Sequence, residues 1–249
     1  MYFMYDSQGF TEATIEDGSY SSNSYSDGGN TIDNEERIND QSISTAITSY
    51  VDTDAIRIDF GSAVPVSSIA LYMNAEETDD IYLARSSDGT NGTTIASLTS
   101  TFSANAWQVN NFTEATYRYF FLGQGGGSST FTGLTEVILG KKLEFEYNPD
   151  IGINEEYDYG SSFSTSIGGS EYGIKTREPI TSYKLNFSNI STTFKENLQT
   201  METAVQSHKK FLWYNDTAFK YVRLTGNISY TEVAYQRYSA SMELRQQLT

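Results

Sequence analysis

The strongest constraint on how this chain folds is a series of short segments in which apolar residues recur at every second position, broken by turn residues. Ile56-Arg-Ile-Asp-Phe60 alternates and meets Gly61, Ile69-Ala-Leu-Tyr-Met73 follows Pro65, and Ile81-Tyr-Leu-Ala-Arg85 runs into the turn Ser87-Asp-Gly-Thr90. Thr94–Leu98, Trp107–Val109, Tyr117–Leu122 and Leu134–Leu139 continue the series. A period of two places one set of side chains on a buried face and the other in water, as in a half-exposed strand. Short strands at intervals of about ten residues, without helical periodicity, predict a β-sandwich or barrel over residues 31–142.

The second half has a different rhythm. Leu143, Phe145 and Tyr147 alternate with Glu144 and Glu146, which predicts a half-exposed strand ended by Pro149. Residues 150–178 are rich in Gly, Ser, Tyr and acids, and so long a stretch reads as a functional arm or an extended hairpin. Tyr183, Leu185 and Phe187 alternate again. One helix follows, because Phe194, Leu198, Met201 and Val205 form a single apolar stripe. Thr193 is its expected N-cap, with Glu196 completing a capping box and Lys209 and Lys210 at the C-terminal end. Phe211–Tyr214, Phe219–Leu224 and a final strand in which Tyr238, Ala240, Met242 and Leu244 alternate complete the chain. The expectation is a mainly β protein: a leader over residues 1–30 with a short strand at Tyr2–Tyr5, a sandwich over 31–142, and a small α+β barrel or sandwich with one helix over 143–249.

Charge divides the chain at the same place. Of 32 acidic residues, 19 lie in residues 1–140 beside only Arg37, Arg57, Arg85 and Arg118, and no lysine precedes Lys141. Residues 141–249 carry 13 acids and 12 basic residues. The net charge of −16 argues against nucleic-acid binding, which recruits basic patches. The near-neutral half is then the expected assembly surface. The absence of cysteine excludes disulfides, cysteine nucleophiles, thiolate zinc sites and iron–sulfur clusters. No apolar run is long enough to span a bilayer, and Met1–Asp6 lacks the regions of a signal peptide.

No catalytic, cofactor or metal residues are assigned, and the ligand-binding residues are left open. His208, the only histidine, ends a helix beside two lysines without a Gly-x-Ser-x-Gly elbow. The acid pairs Glu35-Glu36, Glu76-Glu77, Asp79-Asp80 and Glu155-Glu156 fall in expected turns and loops rather than a cleft, so hydrolysis is not expected. Gly123–Gly127 is not followed by Lys-Ser/Thr and is no phosphate loop. The glycosylation patterns at Asn91, Asn111, Asn186, Asn189, Asn215 and Asn227 are read as chance. Trp107 is expected in the sandwich core, and Trp213 and Tyr214 in a core or a subunit contact.

Four ordered segments make residues 30–142 similar to the discoidin or galactose-binding-like β-sandwich family: Ala55-Ile-Arg-Ile-Asp-Phe-Gly61, Val64-Pro-Val-Ser-Ser-Ile-Ala-Leu-Tyr72, Tyr117-Arg-Tyr-Phe-Phe-Leu122 and Leu134-Thr-Glu-Val-Ile-Leu-Gly140. That resemblance implies sugar or lipid-headgroup contact by loops at one end, and offers a structural calcium near Asp27–Asp33; no other cofactor is implied. The Cys pair of many extracellular members is absent, which favours assembly in a reducing cytoplasm. The order of elements in residues 143–249, with Trp213-Tyr-Asn-Asp216 and Tyr221-Val-Arg-Leu224, resembles bacteriophage tail-tube and distal-tail modules. It implies a homo-oligomeric ring, a hexamer, with residues 150–178 as the arm between subunits. The two resemblances together lead to the expectation of a non-enzymatic virion protein, a distal-tail or baseplate component joining tube to tip or fibres. The alternative is a carbohydrate-binding adhesin module for host surface glycans.

Overall fold

The computed structural model describes residues 1–7, 9–21, 24–26, 32–44, 46–49, 54–76, 80–98, 102–125, 133–150 and 153–246. The chain is mainly β, with one α-helix among the described residues. It divides into two compact units, Met4–Leu143 and Met1–Phe3 with Glu144–Leu248.

The first, acidic unit is built on two strands longer than the sequence rhythm suggests. Asp54–Met73 and Ala106–Gly125 pair antiparallel from Ala55 opposite Gly123 to Met73 opposite Ala106, with register shifts between Asp59 and Val64 and between Val66 and Ser68. Gly61 was expected to end a strand. Instead it turns through a bulge at φ 73°, a conformation glycine adopts without a Cβ clash, while the Asp59 carboxylate accepts its N–H at 2.7 Å. Two expected strands, Ile56–Phe60 and Ile69–Met73, are therefore halves of one. Tyr117–Leu122 and Trp107–Val109 are likewise parts of a single strand.

Each half of this long ribbon recruits different neighbours. Asp80–Ser86 pairs with the far half of Ala106–Gly125 and then with Thr93–Leu98. Thr14–Ser21 pairs with the first half of Asp54–Met73, and Leu134–Glu144 with the last. Ile56, Ile58, Leu83, Phe120 and Leu122 from one half, and Ile69, Leu71, Met73, Val137 and Leu139 from the other, bury into one core cluster. Bulges that let strands bend across two packed layers produce this arrangement. Within the stretch expected as a leader, Phe10 lies in that core, and the buried Asp6 carboxylate accepts the N–H groups of Phe10 (2.7 Å) and Thr11 (3.2 Å).

In the second unit the strands run in the order Asn154–Asp158, Ile180–Ser191, Arg237–Gln246, Phe219–Leu224, Phe211–Tyr214, with Ser229–Ala234 also on Arg237–Gln246. Ser161–Thr165 and Glu171–Lys175 form a separate, exposed hairpin. The strand expected through Tyr147 ends at Glu144. Phe145 instead meets Phe3 (4.6 Å) and Phe187 (5.3 Å) edge-on, an arrangement favoured by the ring quadrupoles, and Tyr147 is exposed.

The helix spans Thr192–Val205 and buries Phe194, Leu198, Met201 and Val205. Its N-cap is Ser191 rather than Thr193: the Ser191 hydroxyl accepts the Phe194 N–H at 3.1 Å. Glu196 does not close the box. Glu146, from the chain before the strand Asn154–Asp158, accepts the Ser191 N–H at 3.0 Å and fills that role. Three consecutive hydroxyl residues, Ser191 to Thr193, make the cap ambiguous in sequence. Ser191→Ala should lower stability by about 1 kcal/mol in urea unfolding, with Thr193→Ala nearly neutral. Equal effects of the two substitutions would refute the cap assignment.

Candidate functional site

Phe102 is buried in the core of the acidic unit, and the turn after it passes Asn105 at φ 56° before the strand Ala106–Gly125 begins. Short polar side chains tolerate that left-handed conformation best. Trp107 is the second residue of the strand and lies directly opposite Tyr72. Their rings meet edge-to-face at 5.3 Å and 62°. Alternation carries Leu71 and Met73 into the core and leaves Tyr72 and Trp107 on the opposite face. Tyr72 is buried, and this burial raises its phenol pKa above the ordinary value.

Trp107 is half-buried, not the core residue expected from the sequence. Together with Phe102, Ser103, Ala106 and Gln108 it lines an open concavity of about 220 Å³. The lining holds an indole, a hydroxyl and a carboxamide, and no charged side chain. Such a surface can stack on an apolar face and exchange hydrogen bonds with neutral donors and acceptors.

Elsewhere in the unit, three of the four arginines of the first 140 residues lie on tyrosine rings. Arg57 sits 4.8 Å from the Tyr25 ring centre, Arg85 4.5 Å from Tyr117, and Arg118 4.7 Å from Tyr119. Arg118 also grips Asp59 in a two-pronged pair at 2.7 and 2.8 Å, and its hydrogen bond holds the Asp59 pKa below the usual carboxylate value. Arg57 pairs with Glu16. These guanidinium groups are engaged inside the unit, so the array is structural. Tyr119 and Phe121 share a small second cluster with Tyr25, Ala55 and Ala84, whereas Phe120 enters the main core.

The remaining sequence candidates do not converge. His208 is exposed, with Nδ1 3.1 Å from the Gln206 carbonyl oxygen. Glu35 and Glu36 open the short 3-10 helix Glu35–Asn39. Glu155 accepts the Tyr157 hydroxyl and Glu156 the Asn154 amide, on a fully exposed strand. Glu77, Asp79, the side chain of Asp80, residues 126–130 of the Gly-rich loop and most of Asp27–Asp33 lie outside the described residues. No cluster of three metal-binding side chains occurs among the described residues. Trp213 is core: it is 1% exposed and packs edge-on against Tyr183 at 5.1 Å. A second concavity, of about 170 Å³, is lined by Asn154, Glu156, Ser182, Tyr183, Lys184 and Glu243 in the other unit. Its Tyr183 ring is buried, so it offers no open aromatic face.

No family model and no curated protein matches this chain. Among solved structures it is similar to a CBM32 module from Clostridium perfringens in complex with GalNAc-β-1,3-galactose, with 13% identity, a TM-score of 0.43, and coverage of 55% of this chain and 100% of that one. A chitosan-binding module of a chitosanase/glucanase from Paenibacillus sp. IK-5 matches at 21% identity and a TM-score of 0.39, over 52% of this chain and 95% of the module. A CBM32 module from a family 31 glycoside hydrolase of Clostridium perfringens matches at 17% identity and 0.39, over 51% and 94%. These are carbohydrate-binding modules, not virion components. They correct the expectation of a bacteriophage distal-tail or baseplate protein, whose support was an order of elements without a diagnostic motif.

Proposed function

We propose that the acidic unit is a carbohydrate-binding module that holds a neutral glycan against Trp107. The observation that carries this reading is the concavity in which a half-buried indole, braced by Tyr72, stands beside Ser103 and Gln108. A pyranose presents an apolar face of C–H groups and a rim of hydroxyls. The indole supports the first, and the hydroxyl and carboxamide exchange hydrogen bonds with the second. Uncharged lining, within a half that carries 19 acids against four basic residues, selects against acidic polysaccharides. Binding without chemistry is the role assigned.

The chain contains two tryptophans, and Trp213 is buried in the other unit, which gives a direct test. A glycan array should identify neutral oligosaccharides, and titration should shield Trp107 fluorescence from acrylamide in a Trp213→Phe background. Trp107→Ala should weaken binding at least about 100-fold, the loss of an aromatic anchor worth roughly 3 kcal/mol, while circular dichroism stays unchanged. Glycan binding that survives Trp107→Ala would place the site elsewhere. An array with no hits would remove the reading altogether.

A further inference from the structure

The hairpin Ser161–Thr165/Glu171–Lys175 presents apolar side chains to solvent on both faces: Phe163 is 73% exposed, Tyr172 60% and Ile174 63%. An isolated two-stranded hairpin is at best marginal in water, so these groups call for cover. The pairing register shows which edge is ready to receive it. Ser166 donates its N–H to the Ser170 carbonyl and Thr176 to the Gly160 carbonyl, which fixes the hydrogen-bonded pairs at even positions. By the alternation of an antiparallel ladder, Glu171, Gly173 and Lys175 then direct their backbone N–H and C=O groups outward. No third strand meets that edge among the described residues.

We propose that the strand Glu171–Lys175 pairs antiparallel with the same strand of a second copy, about a two-fold axis at Gly173. The residue order is complementary to itself in that register alone. Glu171 faces the other copy's Lys175, twice by symmetry, and Tyr172 faces Ile174, again twice. Glycine at the centre leaves room for the Phe163 ring, which lies across it: a Cβ at Gly173 would come 2.9 Å from that ring. Within one chain Lys175 pairs with Glu178 at 2.6 Å, with both side chains largely exposed. A surface pair of this kind is weak and can be exchanged. The edge strand Asn154–Asp158 is the contrasting case. The same two-fold pairing would set Glu156 against its own copy, and charges placed so keep strand edges apart. The outcome is a closed pair, not a ring, because an isologous contact uses up its own edge.

The test is sedimentation velocity on the full chain and three variants. The wild-type chain should show a concentration-dependent dimer. Lys175→Glu sets two glutamates opposite each other at both symmetric positions, and should raise the dimer dissociation constant about tenfold or more. The double variant E171K/K175E restores opposite charges and should return it to within about threefold of wild type. Glu178→Gln should leave the dimer intact. Because the hairpin is exposed, these changes leave the core untouched. As an independent check, Y172C/I174C in this cysteine-free chain should give a disulfide-linked dimer under mild oxidation, since directly opposed non-hydrogen-bonded residues lie within bridging distance. A monomer at all concentrations up to about 1 mM, where only very weak association escapes detection, would hand the face to a different occupant and overturn the proposal. So would a dimer indifferent to Lys175→Glu, or a double variant no better than the single one.

Discussion

Gly140→Ala should destabilise the acidic unit by about 3 kcal/mol, one methyl group having an effect at the upper end of overpacking losses. Gly140 lies in the strand Leu134–Glu144, opposite Ser68. A Cβ there would overlap the Tyr5 carbonyl oxygen and lie 2.9 Å from the Tyr5 carbonyl carbon and 3.1 Å from the Asp6 Cα. All three are backbone atoms, so no side-chain rotation relieves the overlap. Neither segment can yield easily. Tyr5 and Asp6 are buried, and the Asp6 carboxylate is fixed by the Phe10 and Thr11 N–H groups. The strand carries Val137 and Leu139 into the core. Gly61→Ala serves as the comparison: it has open space around it and only its positive φ to contend with, so it should cost about 1 kcal/mol. Urea denaturation of both variants measures the difference. If Gly140→Ala unfolds within about 0.5 kcal/mol of wild type, the ordinary range for an unconstrained surface change, the close approach of Tyr5 is wrong.

Gly140 illustrates what the sequence could and could not convey. Its place at the end of an alternating strand was visible, but its reason for being glycine was not, since the backbone it accommodates is near the opposite end of the unit in sequence. Alternation made the buried faces of Ile56–Phe60, Ile69–Met73 and Leu134–Leu139 legible, and the helical stripe from Phe194 to Val205 likewise. Strand length was hidden, because Gly61 has the same appearance whether it ends a strand or bends one. Thr14–Ser21 was read as leader because its only strongly apolar residue is Ile15; it is held by backbone pairing to Asp54–Met73, which leaves no hydrophobic pattern. The candidate site was obscured for a related reason. A tryptophan heading a strand reads as core, and only the register that sets Trp107 against Tyr72 reveals which face it occupies. The acidic surplus could have given one further signal: where arginine is so rare, three of the four, Arg57, Arg85 and Arg118, mark a structural commitment, as their stacking on tyrosines shows.

The same register separates two neighbouring phenylalanines. Phe120→Ala is expected to cost about 4 kcal/mol, as truncation of a fully buried aromatic ring does when its surroundings cannot collapse. Phe120 is 0% exposed, sits opposite Ile58, and meets Phe60 edge-on at 5.8 Å within the main core. That core draws on both halves of the long ribbon, so neither layer can close the cavity without breaking contacts in the other. Phe121 is equally buried but belongs to the small cluster of Tyr25, Ala55 and Ala84, stacked on Tyr25 at 5.0 Å. There the flanking Tyr25 ring and the Arg57 side chain over it can settle into the space, so Phe121→Ala should cost about 2 kcal/mol. Denaturation followed through Trp107 in a Trp213→Phe background reads the acidic unit alone. Trp107→Ala, followed by circular dichroism, should fall below about 1 kcal/mol, because a half-buried ring leaves little cavity. A residue that binds but scarcely stabilises, beside one that stabilises but cannot reach a ligand, is the pattern a binding face on a packed sandwich requires. Phe120→Ala no more harmful than Phe121→Ala would mean that the alternation at this end of the strand runs the other way and that Phe121, not Phe120, enters the main core.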